Sequence, residues 1–224
     1  MTPDPTRVAS LRDGPVAVAI RARRLVVVLR RVEPRERLVA LVEGLVEAGA
    51  RVFEVTFDAP EAAGDLEAVR AVASGAAGSA GLVGAGTVTD VARLEAARKA
   101  GAAFAVAPTF DPALMTAALA ADLPFVPGAF SPTEIAAAWA GGATFVKLFP
   151  GSAVGPGFVR ELRGPLPEVE LIVTGGIGAS NAVAFLEAGA AAIGIGGALV
   201  RASATERRAL VAAVTGATPG RMER

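Results

Sequence analysis

The chain has no cysteine, no histidine and no tyrosine, a single tryptophan and only two lysines. Each shortage removes a class of chemistry. Without Cys or His there is no zinc finger, no thiol nucleophile and no Ser-His-Asp triad. Acid–base work falls to Asp, Glu, Lys or water. No disulfide framework can form, so nothing points to an oxidising compartment. Neither sign of charge prevails, with 22 basic residues against 22 acidic ones, which argues against electrostatic binding of nucleic acid or an anionic membrane. No carboxylate cluster has metal-ligand spacing, and nothing resembles a Walker loop. The opening Met1-Thr2-Pro3-Asp4-Pro5 lacks the basic and apolar regions of a signal peptide. An uncharged run over residues 71–89 approaches the length of a membrane helix, but its five glycines and two serines read as helix end, loop and strand. A soluble, cytoplasmic chain is the expectation.

What the sequence does have is a rhythm. Short apolar runs recur at residues 25–29, 52–57, 82–87, 104–107, 125–127, 145–149, 171–174 and 192–195. Each is too short for a helix and rich in Val, Ile or Phe, which suits a strand buried on both faces. Segments with helical spacing lie between them, as at Leu38, Leu41, Val42 and Leu45. Ser131-Pro132-Thr133-Glu134 reads as a capping box with Pro at the first helical position, and Asp111-Pro112 as a similar entry. Helix exits repeat at Gly49, Gly101, Gly142 and Gly189, two to four residues before the next strand. Eight strands alternating with helices predict an α/β fold with a parallel sheet, here a small (β/α)₈ TIM barrel in a single domain. A doubly wound open sheet shares the local pattern. Residues 1–24 are assigned to an N-terminal helix and lead-in, 25–214 to the barrel and 215–224 to a loose C-terminal tail.

Barrel active sites lie at the strand ends. Lys147 stands inside the sixth run, in a chain whose other basic residues are all Arg except Lys99. It is either a lysine snorkelling to solvent or a nucleophile that attacks a carbonyl, which a guanidinium cannot do. Period two places Glu54 with Val52 and Thr56, opposite Phe53, Val55 and Phe57. If the bulky face meets the helices, Glu54 points into the barrel, as a structural carboxylate paired with Arg or as a general acid–base beside the lysine. Arg30 shares parity with Val26 and Val28; it clamps a substrate carboxylate or phosphate, pairs with Glu54, or forms an external salt bridge. Gly175-Gly176 and Gly196-Gly197 end the last two strands, where barrel enzymes often hold phosphate on backbone amides. Gly84-Ala85-Gly86-Thr87 offers a close-approach backbone and one hydroxyl, or simply a bend.

Together these residues resemble the 2-keto-3-deoxy-6-phosphogluconate (KDPG) / 4-hydroxy-2-oxoglutarate (KHG) aldolase family, class I aldolases on a (β/α)₈ barrel. The resemblance runs from about residue 25 to 200. It rests on Phe53-Glu54-Val55-Thr56, Val83-Gly84-Ala85-Gly86-Thr87-Val88, Val126-Pro127-Gly128, Val146-Lys147-Leu148-Phe149-Pro150, Thr174-Gly175-Gly176-Ile177 and Gly194-Ile195-Gly196-Gly197. It implies that Lys147 forms a Schiff base and that Glu54 moves protons through a bound water. It implies further that Thr87, Pro108 and Thr174 line the pyruvyl site, and that the two glycine pairs hold a distal phosphate. No metal or other cofactor is implied, and the assembly would be a homotrimer. Two positions depart from the pattern. Asp58 stands where many members have a substrate-contacting Arg; Asp58-Ala59-Pro60-Glu61 reads as a helix cap with a capping-box Glu. Ala198 replaces the usual Ser of the phosphate loop. Arg30 and the segment from Phe149 to Pro156 look like the related 6-phosphogalactonate (KDPGal) branch.

The implied reaction is cleavage of KDPG to pyruvate and glyceraldehyde 3-phosphate, the Entner-Doudoroff step, or of KHG to pyruvate and glyoxylate. KDPGal cleavage is the alternative. Rivals are a phosphosugar epimerase or isomerase using Glu54 as base on the same barrel, and a catalytically silent ligand-binding or assembly protein.

Overall fold

A computed structural model describes residues 3–75 and 81–217. The strands are β1 (Leu25–Leu29), β2 (Val52–Thr56), β3 (Leu82–Gly86), β4 (Ala105–Val106), β5 (Phe125–Val126), β6 (Gly128–Ala129), β7 (Val146–Leu148), β8 (Leu171–Thr174) and β9 (Ala192–Ile195). They form one parallel sheet in the order β5-β4-β3-β2-β1-β9-β8-β7-β6. The two ends of that order, β5 and β6, flank Pro127 in the sequence, so the sheet is a nearly closed barrel of eight staves. The fifth expected strand is thus two short ones. Pro127 has no N–H to give to a ladder, yet its carbonyl still accepts from the Lys147 amide at 2.8 Å.

Alternation along each strand sorts the core into two clusters. The inner one holds Val26, Val52, Phe104, Val106, Val126, Phe145, Ile172 and Ala192. Two helices precede β1, α1 (Pro5–Arg12) and α2 (Pro15–Arg23), where the sequence suggested one. Gly14 separates them, extended at φ −71° and ψ 168°. Ala17 and Ile20 of α2 pack into the inner cluster and plug the N-terminal end of the lumen. The outer cluster joins residues of opposite parity, such as Val27, Phe53, Val55, Val146 and Val173, to the surrounding helices. Burying a side chain such as Phe53 contributes about 1.5–3 kcal/mol.

Those helices are α3 (Arg35–Glu47), α4 (Ala62–Ser74), α5 (Val91–Lys99), α6 (Pro112–Ala120), α7 (Pro132–Ala140), α8 (Gly155–Leu162), α9 (Ala182–Glu187), α10 (Gly197–Arg201) and α11 (Ala204–Thr215). The Ser131 capping box opens α7 with both bonds made, and Asp111 caps α6 by accepting from the Ala113 amide at 2.8 Å. Gly49, Gly101, Gly142 and Gly189 all have φ between 84° and 106°. Asp58 is not a cap. The α4 helix starts at Ala62, Glu61 caps it without a side-chain bond, and the Asp58 carboxylate turns instead to Arg31 Nε at 3.4 Å. Thr215 closes α11; residues 76–80, and 218–224 of the expected tail, lie outside the described residues. Among the described residues no helix is long and apolar enough to cross a membrane.

Candidate active site

Lys147 shares parity with Phe145 of the inner cluster, so its side chain enters the lumen above that apolar floor. It is 6% exposed. Its backbone stands between Gly128 on β6 and Ile172 on β8. The ammonium lies 5.2 Å from the Phe149 ring centroid, and among the described residues no carboxylate pairs with it.

Glu54 likewise shares parity with Val52 and enters the lumen from β2. Going round the barrel from β2 through β1, β9 and β8 to β7 takes four steps. In an eight-stave ring that puts Glu54 and Lys147 on opposite walls. Glu54 is 2% exposed, and its Oε1 has no hydrogen-bond partner. No arginine pairs with it among the described residues, so the structural-pair alternative has no support. Gly86 makes room for it: a Cβ there would collide with the Glu54 carboxylate. Thr174, on β8, is the second polar residue of this layer with a buried oxygen, Oγ1, lacking a partner. Buried polar atoms left unpaired are rare, and a pair of them facing one lumen points to a ligand or water there.

A cavity of about 480 Å³ opens above this layer at the C-terminal end of the strands. Lys147, Arg30, Thr174, Gly175, Gly176, Gly196 and Gly197 all line it. Arg30 donates from Nη2 to Thr87 Oγ1 at 3.1 Å and makes no ion pair among the described residues. Thr87 and Pro108 stand outside the lining of this cavity. Thr87 is held on its rim by Arg30, in the left-handed region at φ 55°. Pro108 abuts Gly128, where a Cβ would collide with the proline carbonyl, and Gly128 is the register partner of Lys147. Burial alone would raise the Asp58 pKa, but a hydrogen bond from Thr56 and the charges of Arg30 and Arg31 hold it below the ordinary value. Asp58 therefore stays ionised, and its ion pair is with Arg31.

A larger recess, about 690 Å³, lies between the loops after β1 and β2. Four carboxylates line it, those of Glu33, Glu36, Glu61 and Asp65, the last paired with Arg35 at 2.8 Å. By contrast no carboxylate lines the cavity above Lys147, which has three cationic side chains on its wall. The third is Arg201, at the end of α10, which the sequence alone did not single out. Its only local signal is a helical offset of four from Gly197. Ser180 and the exposed Phe149 also line the cavity.

Glu54, like Thr87 and Pro108, stands outside the lining, in the buried layer below. Fold and cavity together define the class: a barrel enzyme that presents an amine and two guanidinium groups to a small anionic molecule. Comparison with known proteins narrows it. A family model described as KDPG and KHG aldolase matches residues 16–215. A probable 2-dehydro-3-deoxy-6-phosphogalactonate aldolase of Rhizobium meliloti (strain 1021) is 33% identical over 181 residues, 80% of this chain and 82% of the relative. A 2-dehydro-3-deoxy-phosphogluconate aldolase of Treponema pallidum (strain Nichols) is 36% identical over 162 residues, 72% and 73% of the two chains. The crystal structure of KDPG aldolase from Legionella pneumophila, with pyruvate captured as a covalent carbinolamine intermediate, gives a TM-score of 0.76 at 27% identity, covering 89% of this chain and 97% of that one. The chain belongs to the KDPG and KHG aldolase family. It is an aldolase, a carbon–carbon lyase.

Proposed function

We propose that the enzyme cleaves 2-keto-4-hydroxy acids through an imine on Lys147, with KDPG and KHG as substrates. The observation that carries this reading is the buried, carboxylate-free amine of Lys147 facing the orphaned Oε1 of Glu54 across the lumen. The Lys147 amine adds to the C2 ketone to give a carbinolamine. Glu54, through a water, protonates the departing hydroxyl, and loss of water leaves a protonated imine. That cation accepts the electrons of the C3–C4 bond as it breaks, while the C4 hydroxyl gives up its proton and becomes an aldehyde. Glyceraldehyde 3-phosphate or glyoxylate departs. The remaining enamine takes a proton at C3, and water hydrolyses the imine to pyruvate and free lysine. The covalent route divides one hard step into several easier ones.

Thr174, with Thr87 and Pro108 behind the rim, would hold the pyruvyl end, and the Gly175-Gly176 and Gly196-Gly197 amides the distal phosphate. KDPGal is the second reading. The Rhizobium relative bears that name, and at this mouth Asp58 leaves Arg30 as the cation available to the sugar acid. The family also supports a homotrimer in the cytoplasm, which sedimentation and fractionation would test.

Sodium borohydride added with pyruvate should place a stable three-carbon adduct on the peptide carrying Lys147, and Lys147→Arg should abolish both label and turnover. A preparation that cleaves KDPG yet takes up no label defeats the imine, and turnover surviving in Lys147→Arg would favour an isomerase-type use of Glu54. Parallel assays of KDPG, KDPGal and KHG rank the substrates.

A further inference from the structure

Arg201 makes no hydrogen bond or ion pair in the described structure, although most arginines around the barrel have one. It is exposed at the cavity mouth. From the last residue of α10 its guanidinium folds back across Gly197, so closely that a Cβ on that glycine would sit 2.5 Å from Nη1 and 3.1 Å from Cζ. There it forms part of the cavity wall beside Gly196, Gly197 and the Gly175-Gly176 corner. Arg30, the other arginine of this wall, leans the opposite way, past β2 to Thr87 at the end of β3. The cavity therefore has one guanidinium, bonded only to a hydroxyl, toward β3 and another without a partner among the described residues beside Gly197. Lys147 serves the carbonyl between two anionic ends.

We infer that Arg201 is the specificity-determining residue for the phosphate of the sugar acid, supplying by side chain the contact that Ala198 cannot make. The inference rests on the aldolase reading and deepens it. A guanidinium offers a phosphate two parallel N–H donors, which a hydroxyl cannot. The absence of any carboxylate from the lining means that the charge is not spent within the protein. The lack of a side chain at Gly197 leaves room for this guanidinium, which a Cβ there would push aside.

The test is aldol addition of pyruvate to two aldehydes that differ only in the phosphate, D-glyceraldehyde 3-phosphate and D-glyceraldehyde. Losing a charge-assisted contact of this kind should lower kcat/KM for the phosphorylated aldehyde about 10- to 100-fold in Arg201→Ala. The rate with D-glyceraldehyde should stay within about threefold, and Arg201→Lys should recover part of the loss. Borohydride labelling with pyruvate must persist in each variant, which shows that the barrel and its amine are intact. Equal losses on both aldehydes, or no loss on either, overturn the assignment. A calorimetric titration with inorganic phosphate separates this from failure of the aldolase reading. Wild-type protein that binds phosphate through Arg201 but joins neither aldehyde to pyruvate keeps the anion site and refutes the aldolase. Protein that is an active aldolase but binds phosphate equally with and without Arg201 refutes the site alone.

Discussion

The two ends of the barrel treat charge in opposite ways. At the N-terminal end every arginine near the lumen has a partner. Arg12 lies 3.5 Å over the Trp139 ring and donates to the carbonyls of Ala143 and Trp139 at 2.9 and 2.7 Å. Arg21 binds Glu170 at 2.8 Å and covers Phe145 from below. Ala17 and Ile20 close that end with apolar surface. At the C-terminal end Lys147, Arg30 and Arg201 have no ion-pair partner among the described residues, and Glu54 and Thr174 keep buried oxygens unbonded. One end pairs its charges within the protein, although the buried Thr144 hydroxyl there has no partner. The other leaves its cations without ion pairs at the wall of a cavity.

Substitutions at each end should then fail in different assays. The largest effect is expected from Glu54→Gln. If Glu54 moves protons, kcat should fall about 10²–10⁴-fold, while resistance to urea holds or rises, because a buried carboxylate with an orphan oxygen is costly to the fold. Unchanged turnover would erase the distinction drawn here. Ile20→Ala at the plug should do the reverse. It should cost about 2–5 kcal/mol by denaturant titration and leave kcat within about twofold; a matching loss of activity would mean that the floor also shapes the site.

The smallest effect concerns a part of the molecule belonging to neither end. Glu134 accepts from the backbone amides of Ser131 and Phe130 and from the Ser131 hydroxyl, which lowers its pKa below the ordinary 4.5. A carboxylate depressed in the folded state stabilises it above the unfolded value and loses that contribution as pH falls through the folded one. The difference in melting temperature between wild type and Glu134→Ala should therefore be full at pH 6 and shrink below about pH 4. A constant gap down to pH 2.5 would show that the cap works by packing.

Features carried by local spacing were legible in the sequence. All eight staves fall on the apolar runs, and the Ser131 box and the glycine exits sit where their patterns place them. Parity also oriented Glu54 toward the lumen, because a stave with one face on helices has only one alternative, while Lys147 stood out by the scarcity of lysine. Features set by distant partners were hidden. Pro127 splits a stave at the seam of the ring, which no neighbouring residue announces. Gly14 divides the leading helix because Ala17 and Ile20 must reach the lumen floor. Asp58 has the signature of a helix cap, but Arg31 from the end of another stave pairs with it instead. Arg201 was invisible because its place depends on folding back over a glycine.

The plug formed by α2 has a kinetic corollary. A vessel sealed at its base has one doorway, so whatever enters must leave by the same route. If Lys147 anchors the substrate through its second carbon as proposed, the severed far fragment stands between the anchored piece and that doorway. Release should then be sequential, with the aldehyde first and the three-carbon acid after it, and excess aldehyde should block the exit of the acid.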